Sequence, residues 1–600
     1  MGLLQKACET YDTFAQKAGV AEQGRAPLTP ISHIVQNVQI EIIIDEDGNY
    51  VGANEVAKDD VKTIIPVTEA SAVRTGNCAP HPLCEQIGYI SKHSGEKYEK
   101  YVEQLSDWAD SEYAHQKVRA VLNYVKGGSV LSDLERAGLI GPEGGKPDNK
   151  ADKLMVRWRV LNDDPDIPEE CWRDATLFDS YIRYAESISD EDGDTGLCMI
   201  TGDEARLALK HPKGIVSANY GAKLISDNDS SGYTYRGRFT DSRQAATVSY
   251  IASQKAHSAL AWLAANDSVR DFVGNRVFIC WNPKGFKTPK LMGSPMDTAE
   301  EALRPSDYKK QLYEALRGYR ENLPDNEDVI IAAFDAATTG RLSMTYYSEL
   351  RASDFLEKIQ RWYETCCWEF GRYGVQSPPL KKIAECAFGT QREGLYLEAD
   401  DRVLKEQTQK LLACMIEGSP VPMDIVRALT QKASAPLAYD NNGRIRMLST
   451  ACAMIRKYRN DLAKKEEWTM KLDPANTDRS YLFGRLMAVM EKAERDTYNQ
   501  DEGREPNAIK MQSVYCERPM YAARIIHDKL EPYFERLGAK QRIFYKNLIG
   551  EIFGLFKEED KDKMNKRLED TYLLGYYLQR SEFYTKKEAD TENEHMEVTE

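Results

Sequence analysis

The hydrophobic pattern of this 600-residue chain changes character near residue 351. Before that point, β-branched runs interrupted by turn residues, as in VQIEIIIDEDGNYVGA (38–53) and VIIAAFDAATTGRLSMTYYSEL (329–350), alternate with amphipathic stretches. Beyond it, apolar residues recur every three or four positions in one segment after another. The pattern predicts an α+β fold: a mixed α/β N-terminal region with short antiparallel sheets over 1–350, followed by an all-α helical bundle.

Some elements can be placed more closely. RVFICWNP (276–283) is typical of a further strand. A helix is predicted over 241–265, with Asp241 as its N-cap and Gln244 three residues later.

The composition is that of an ordinary cytoplasmic protein. No run approaches the ~18 uncharged residues that a membrane helix needs, and the first residues acquire charges within one turn, unlike a signal peptide. The twelve cysteines are scattered without a CxxC pair, and the eight histidines never recur at the spacing of paired metal ligands. We therefore expect free buried thiols, no metal, no cofactor and no membrane contact.

Motifs that carry known chemistry are absent or incomplete. No Walker phosphate loop, GxSxG elbow or HExxH pair occurs. DEDGDTG (190–196) begins like a calcium loop but lacks the glycine required at the sixth position. Cys198 and His211 are a nucleophile and a base only if the fold brings them together, and the pair His527–Asp528 falls inside a helical pattern. We expect that the chain is not an enzyme.

A basic island stands out in a chain whose formal net charge is −15. From Ala205 to Arg243, seven lysines and arginines face three aspartates. Gly214 and Gly221 let backbone amides approach a phosphate closely. The alternative is a solvated basic loop with two tyrosines packed on the core, and composition leaves both open. The candidates for phosphate contact or base stacking are Lys210, Lys213, Lys223, Tyr233, Tyr235, Arg236 and Arg238.

Several segments resemble one known family, in the family's order and over nearly the whole chain. That family is the large subunit of the type I-C CRISPR surveillance complex, Cascade. The segments are RTGNCAPHPLCEQIGYI (74–90), CMITG (198–202), HPKG (211–214), GAKLIS (221–226), AATTGRLSMTYYSEL (336–350) and LGYYLQRSEFYTKK (574–587).

The resemblance implies a non-catalytic subunit of a crRNA-guided antiviral complex. Such a subunit recognises the protospacer-adjacent motif in double-stranded DNA, supports R-loop formation and recruits the helicase-nuclease, while the guide RNA determines sequence by pairing. Implied partners are crRNA, target DNA and the backbone, crRNA-processing and small subunits. Two rival hypotheses remain: a metal-dependent nuclease with a dispersed active site, and a scaffold without nucleic-acid contact.

Within the N-terminal region, the loop Arg74, Thr75, Gly76 and Asn77 is the candidate for reading the flanking motif. It combines a forked donor, small residues that permit close approach, and an amide able to pair with adenine. A structural turn held by its neighbours is the alternative. Arg341, in the predicted hairpin, is a weaker candidate for backbone contact.

The resemblance divides the helical part into a connecting region, 351–469, and a C-terminal bundle, 470–600, which is similar to the Cascade small subunit. The bundle has 131 residues, enough to fold independently. The resemblance also makes Met470 a candidate internal translation start. Residues 521–550 carry six basic against three acidic side chains, a modest basic surface for a displaced strand. One apolar face is predicted at Ile525, Ile526 and Leu530, and another at Phe544, Leu548, Ile552 and Leu555. The candidates for strand binding are Arg524, Lys540, Arg542, Lys546 and Arg580.

Overall fold

The computed structural model divides into two compact units. The first unit is Met1–Thr288 with Glu327–Leu350, and the second is Pro289–Asn326 with Arg351–Glu600. The structure describes residues 2–20, 27–74, 78–141, 150–189, 194–226, 239, 246–296, 302–392, 397–499 and 503–597. Within these ranges, every helix is too short or too polar to serve as a membrane span.

The first unit combines helices with all the longer strands. Its helices are α1 (Leu3–Thr13), α2 (Glu69–Ala72), α3 (Ile87–Ile90), α4 (Glu96–Asp110), α5 (Gln116–Gly127), α6 (Val130–Arg136), α7 (Ala175–Ser189) and α8 (Tyr250–Ala264). Its strands are β1 (His33–Asn37), β2 (Ile40–Ile44), β3 (Tyr50–Glu55), β4 (Lys62–Pro66), β5 (Val156–Val160), β6 (Thr195–Leu197), β7 (Glu204–Arg206), β8 (Arg270–Val273), β9 (Arg276–Trp281), β10 (Asp328–Thr338) and β11 (Arg341–Arg351).

One core of this unit forms around a three-stranded sheet of order β3-β2-β5. The predicted hairpin over 38–53 is confirmed, since β2 and β3 pair antiparallel with Ile42 opposite Ala53. The other edge of β2 pairs parallel with β5, which places Ile42 opposite Trp158. Residues of α4, α5 and α7 cover the sheet and make one continuous apolar cluster with it.

A second core forms around a four-stranded sheet of order β11-β10-β9-β8, covered by α1 and α8. The predicted strands near 276 and 329–350 are confirmed here. The predicted start of this helix is wrong, because residues 246–249 are not helical and α8 begins at Tyr250, where the Ser249 side chain accepts the capping hydrogen bond from the Ala252 amide. Asp241 itself lies outside the described residues. Ser249 directly precedes the first helical residue, and serine is a preferred N-cap residue.

The second unit is almost entirely helical. Its helices are α9 (Pro305–Asn322), α10 (Ala352–Thr365), α11 (Leu380–Phe388), α12 (Asp401–Glu417), α13 (Met423–Ala433), α14 (Asn441–Ala463), α15 (Arg479–Arg495), α16 (Asn507–Lys510), α17 (Gln512–Glu517), α18 (Pro519–Phe534), α19 (Ala539–Gly554) and α20 (Thr571–Glu597). Two small ladders interrupt them, formed by β12 (Trp368–Glu369) with β13 (Val375–Gln376) and β14 (Thr390–Gln391) with β15 (Leu397–Glu398).

Helix α15 is the centre of this unit, since its residues from Ser480 to Glu494 are all buried. It crosses α20 at two glycines, Gly484 and Gly575. A Cβ at Gly484 would stand far inside contact distance of the Tyr572 carbonyl oxygen, and one at Gly575 would meet Tyr481 in the same way. The backbones therefore touch, and the predicted α+β class with a helical C-terminal part is confirmed.

Candidate nucleic-acid interface

The loop predicted to read the flanking motif is closed by an ion pair between Arg74 and Glu85. Arg74 Nη1 donates to Glu85 Oε2 at 2.5 Å and Nη2 donates to Oε1 at 3.0 Å. Glu85 is fully buried, and its carboxylate also accepts the backbone N–H groups of His81 and Gln86, each at 2.7 Å. With four donors on one carboxylate, the buried charge is fully compensated.

Arg74 makes further contacts that hold its side chain in place. Nη1 also donates to the Ala79 carbonyl at 2.9 Å, and the guanidinium lies 4.6 Å from the centre of the Tyr89 ring. Burial works to lower the pKa of Arg74, but the hydrogen bond and charge of Glu85 outweigh it and raise that pKa. Arg74 thus joins the two ends of the loop, while Thr75, Gly76 and Asn77 lie outside the described residues.

Lys213, from the basic island, lies close to Arg74. Burial lowers the pKa of Lys213, and the positive charge of Arg74 lowers it further. Among the described residues, no carboxylate comes within 4 Å of the half-buried Lys213 ammonium. The same charges act on His81. Burial lowers the pKa of His81 to about 4; the charge of Glu85 opposes this shift, and the charges of Arg74 and Lys213 add to it. The fold therefore brings together two separately predicted sites as one pair of cations.

A second acid, the half-buried Glu69 at the start of α2, fixes the segment that leads into the island. Its Oε1 accepts the Lys210 backbone N–H at 2.5 Å and its Oε2 lies 3.3 Å from Arg206 Nη2. Burial raises the pKa of Glu69, although the Lys210 N–H and Arg206 oppose this. The Lys210 side chain is exposed, so its ammonium faces solvent while its backbone is fixed.

The far end of the island joins the β10–β11 turn. The Lys223 N–H donates to the Gly340 carbonyl at 3.3 Å, and the Leu342 N–H donates to the Lys223 carbonyl at 2.9 Å. These bonds place Lys223 beside Arg341, which is exposed. The structure thus joins Lys223 and Arg341, two candidates that lie far apart in the sequence.

Gly214 allows the intervening loop to fold back on itself. Its φ of +88° belongs to the left-handed region, and a Cβ there would lie 2.6 Å from the ring of Tyr220. The Tyr220 hydroxyl donates to the Val35 carbonyl at 3.2 Å, which ties the loop to β1. The remaining island candidates, Tyr233, Tyr235, Arg236 and Arg238, lie outside the described residues.

Cys198 and His211 do not form a nucleophile and base pair in the described contacts. The Ser249 N–H donates to Cys198 Sγ at 3.2 Å, while His211 Nδ1 is hydrogen-bonded to Ser253 Oγ at 2.8 Å. Burial works to raise the pKa of the Cys198 thiol. Hydrogen bonds, led by those of Ser249, outweigh burial and lower this pKa to about 7. Burial, with His257 and Lys223, lowers the pKa of His211 to about 3, so the ring is neutral.

The remaining catalytic and metal hypotheses find little support in the described part of the chain. There, no three His, Cys, Asp or Glu side chains cluster so that they could hold a metal ion. His527 and Asp528 lie on the surface of α18. The start of the DEDGDTG segment, residues 190–193, lies outside the described residues. All twelve cysteines are free, and ten of them are buried, as predicted.

Four of the five strand-binding candidates are exposed on two neighbouring helices of the sequence, α18 and α19. Arg524 is exposed on α18, and Lys540, Arg542 and Lys546 are exposed on α19. Lys546 Nζ lies 3.3 Å from a Glu531 oxygen and 5.1 Å from the centre of the Phe534 ring. Arg580 lies elsewhere, on α20 beside Glu491.

The predicted apolar face of α19 is wrong in part. Tyr545, Ile549 and Ile552 are buried, whereas Phe544 is 52% exposed. Ile543, also exposed, extends this patch. Because α19 carries apolar residues nearly all round, a 3.6-residue period fits more than one face. Aromatic and basic side chains therefore share the outer surface of this helix.

Met470 lies in the connection between α14 and α15 and is partly buried. The segment that follows it is tied to the helices before it. Arg459 Nε donates to Asp570 Oδ1 at 2.9 Å and Arg459 Nη2 to Glu569 Oε2 at 2.8 Å. Arg444 makes a further ion pair with Glu505. A chain starting at Met470 would lack both arginine partners.

Sequence reasoning missed the two acids, Glu69 and Glu85. Glu69 follows Thr68, whose side chain caps α2, and this Thr-Glu pattern is a visible helix-start signal. Nothing in the sequence around Glu85 distinguishes it from a surface acid. These acids fix the Arg74 side chain and the backbone of Lys210.

Comparison with known proteins gives one informative result. No curated protein matches the chain. A family model described as CRISPR-associated protein (Cas_Csd1) matches residues 8–584, which includes the loop, the basic island and both units. The match covers far more than half of the sequence, so the chain belongs to the CRISPR-associated protein (Cas_Csd1) family.

Proposed function

We propose that the protein is the non-catalytic large subunit of a type I-C Cascade, a crRNA-guided antiviral surveillance complex. In this role it recognises the protospacer-adjacent motif in double-stranded DNA, supports duplex opening and R-loop formation, and recruits the helicase-nuclease. Membership of the CRISPR-associated family supports the general assignment. The crRNA, the target DNA and the other Cascade subunits are the proposed partners.

The observation that carries this proposal is the cation pair of Lys213 and Arg74 at the base of the loop. The charge of Lys213 is half-buried without a carboxylate partner among the described residues, and burial followed by the positive charge of Arg74 lowers its pKa. A DNA phosphate at this point would supply the missing negative charge and release counterions. Such a contact fixes the position of the protein on the duplex without reading sequence.

Base readout is then assigned to the tip of the loop. Arg74 already spends three hydrogen bonds on Glu85 and Ala79, so its role is to hold the loop. Asn77 carries an amide that can pair with an adenine edge, and Gly76 permits close approach. We assign recognition to residues 75–77 and positioning to Arg74.

The second unit supplies a surface of a different kind. Arg524, Lys540, Arg542 and Lys546 are exposed on α18 and α19, and the aromatic Phe544 is exposed on α19. Cations combined with exposed rings bind single strands without sequence preference. The displaced DNA strand is the proposed occupant.

Reconstitution tests this function directly. Complexes assembled with and without the chain should differ in duplex-target binding, and Asn77→Ala should reduce the preference among flanking sequences while keeping general DNA affinity. An unchanged preference removes the loop from readout. The purified chain should leave DNA uncleaved with Mg²⁺ or Mn²⁺; cleavage that a chelator abolishes would favour the rival nuclease.

The internal start at Met470 is tested by replacing it with leucine, which preserves volume and apolarity. Full-length protein should persist while a free C-terminal fragment disappears from cells. If the fragment survives this change, or never forms from the natural sequence, Met470 is not a start.

A further inference from the structure

A large cavity in the second unit, distinct from the surfaces described above, is lined by an unusual number of arginines. Its volume is about 960 Å³. Its described lining includes three glutamates, Glu369, Glu491 and Glu505. The six arginines are Arg304, Arg372, Arg444, Arg495, Arg504 and Arg580. The charges of these nine side chains sum to three positive, so the cavity favours an anion.

Two of the glutamates are already occupied by arginines. Glu491 accepts Arg495 Nε at 2.7 Å and the Tyr576 hydroxyl. Glu505 is paired with Arg444 and lies 3.3 Å from Arg495 Nη2. Burial works to raise the pKa of Glu505, but Arg444 and Arg495 outweigh burial and hold this pKa below its ordinary value. These acids therefore balance the inner arginines.

The outer arginines have no such balance. Among the described residues, no carboxylate lies within 4 Å of Arg304, Arg372 or Arg504, and all three are exposed. Arg372 donates to the Tyr373 hydroxyl at 2.8 Å, and Arg504 donates to the Tyr533 hydroxyl. Neutral tyrosines orient these guanidinium groups but leave their charge uncompensated.

Arg580 adds an unmet hydrogen-bond donor deeper in the cavity. Its Nε is buried and has no hydrogen-bond partner among the described residues. The Glu491 Oε1 atom, at 3.7 Å, is close enough for charge attraction but too far for a hydrogen bond. A buried donor of this kind gains free energy when a ligand supplies an acceptor oxygen.

Aromatic rings complete the lining. Tyr584 is 43% exposed, and the Arg580 guanidinium lies 5.7 Å from its ring centre. Tyr439, Tyr576 and Tyr577 also line the cavity. Flat rings beside arginines are the combination that holds a nucleobase and its phosphate together.

We propose that this arginine cavity binds a nucleoside phosphate. The unpaired arginines hold the phosphate, Arg580 Nε donates to one of its oxygens, and Tyr584 stacks on the base. The volume lies within the range of small-ligand sites, so the occupant is a free nucleotide or one or two nucleotides of a single strand. Both sources present the same chemistry.

Two probes applied to the full-length protein separate these sources. One is the fluorescent nucleotide mant-AMP, with AMP, adenosine and inorganic phosphate as competitors. The other is fluorescein-labelled dT4, followed by anisotropy. Binding of mant-AMP that AMP displaces identifies a free nucleotide; binding of dT4 alone identifies a strand. Either result supports the proposal when it depends on the cavity residues.

Dependence is measured with the variant R304Q/R372Q/R504Q. This variant should have an at least about tenfold lower affinity for the probe that binds, because charged hydrogen bonds to the phosphate are lost. The control R361Q/R402Q/R427Q removes three exposed arginines of the same unit outside the cavity and should change affinity less than about twofold. Unchanged circular dichroism and melting temperature establish that both variants fold.

The aromatic contribution is measured separately with Tyr584→Leu. Loss of base stacking should lower the affinity for the probe about fivefold or more. Competition by inorganic phosphate should be unchanged. The proposal is overturned if neither probe binds at millimolar concentration, if R304Q/R372Q/R504Q binds like the natural protein, or if its effect is matched by the control.

Discussion

The two units hold their cations in different ways. In the first unit, the buried Glu85 and the half-buried Glu69 fix Arg74 and the backbone of Lys210 at single positions. In the second unit, Lys540 and Arg542 project from a helix surface and have no ion pair with any residue that the structure describes. Fixed groups suit recognition of a defined geometry, whereas loosely held charges suit a strand of any sequence. On the proposed function, discrimination therefore belongs to the first unit and general affinity to the second.

Removing the negative charge of Glu85 should produce the largest loss of stability. Glu85→Gln leaves the mostly buried Arg74 without its carboxylate and should destabilise the first unit by about 3–5 kcal/mol. Urea unfolding monitored by hydrogen exchange in β9 measures this. The double variant R74M/E85M should recover much of the stability while target binding stays impaired. Full recovery of binding would show that the pair has no role in recognition.

The stability of the second unit should be most sensitive to substitutions where α15 crosses α20. Gly484→Ala forces a methyl group into the α20 backbone and should cost about 3 kcal/mol. Gly550→Ala, on α19 with open space around it, is the matched control and should be neutral or slightly stabilising. Equal thermal stability of the two variants would contradict the close contact of α15 and α20.

Acid should weaken the first unit through its buried histidines. Burial lowers the pKa of His33 and His257 to about 4 and that of His211 to about 3. Between these values and 6.5, the unfolded chain binds more protons, so stability falls as pH falls through this window.

His257→Asn tests this dependence on pH, because the asparagine amide can replace the Nδ1 hydrogen bond to the Ser253 carbonyl. It should reduce the slope of unfolding free energy against pH by about 1.4 kcal/mol per pH unit. Hydrogen exchange in α8 at pH 4.5 and 7 measures the change. His527→Asn, in the second unit, should leave the slope for α8 as it was.

The smallest effect is expected on the exposed surface of α19. K540Q/R542Q/K546Q should lower the salt slope of single-strand binding by about two, because three phosphate contacts are removed. R361Q/R402Q/R427Q is again the control for net charge. A change in flanking-sequence preference in the α19 variant would break the division of roles between the two units.

Sequence patterns predicted those parts of the fold that depend on local alternation. The hairpins over 38–53 and 329–350 follow from strand periodicity and a turn, and both are present. The start of α8 was not predicted because its cap, Ser249, has Ala252 at the third helical position and so lacks the capping-box pattern that Asp241 and Gln244 show. The more complete local pattern therefore does not mark the start of α8.

The candidate site depended on contacts that no local pattern contains. Lys213 was predicted from the basic island and Arg74 from the chemistry of its loop, but their charges come within range of each other only when the loop after β7 folds against α2. Glu85 gave no signal, since its importance comes from complete burial. The arginines of the cavity are likewise spread over 304–580 and meet only in the folded unit.

The central claim is that Lys213, next to Arg74, holds a phosphate of the target duplex. The direct measurement is the salt dependence of duplex-target binding by complexes that contain the natural chain, Lys213→Met or the surface control Lys126→Met. We predict that Lys213→Met lowers the slope of log K against log salt by about one, with the flanking-sequence preference retained. Lys126→Met should match the natural chain. A slope for Lys213→Met equal to that of the natural chain would contradict the claim.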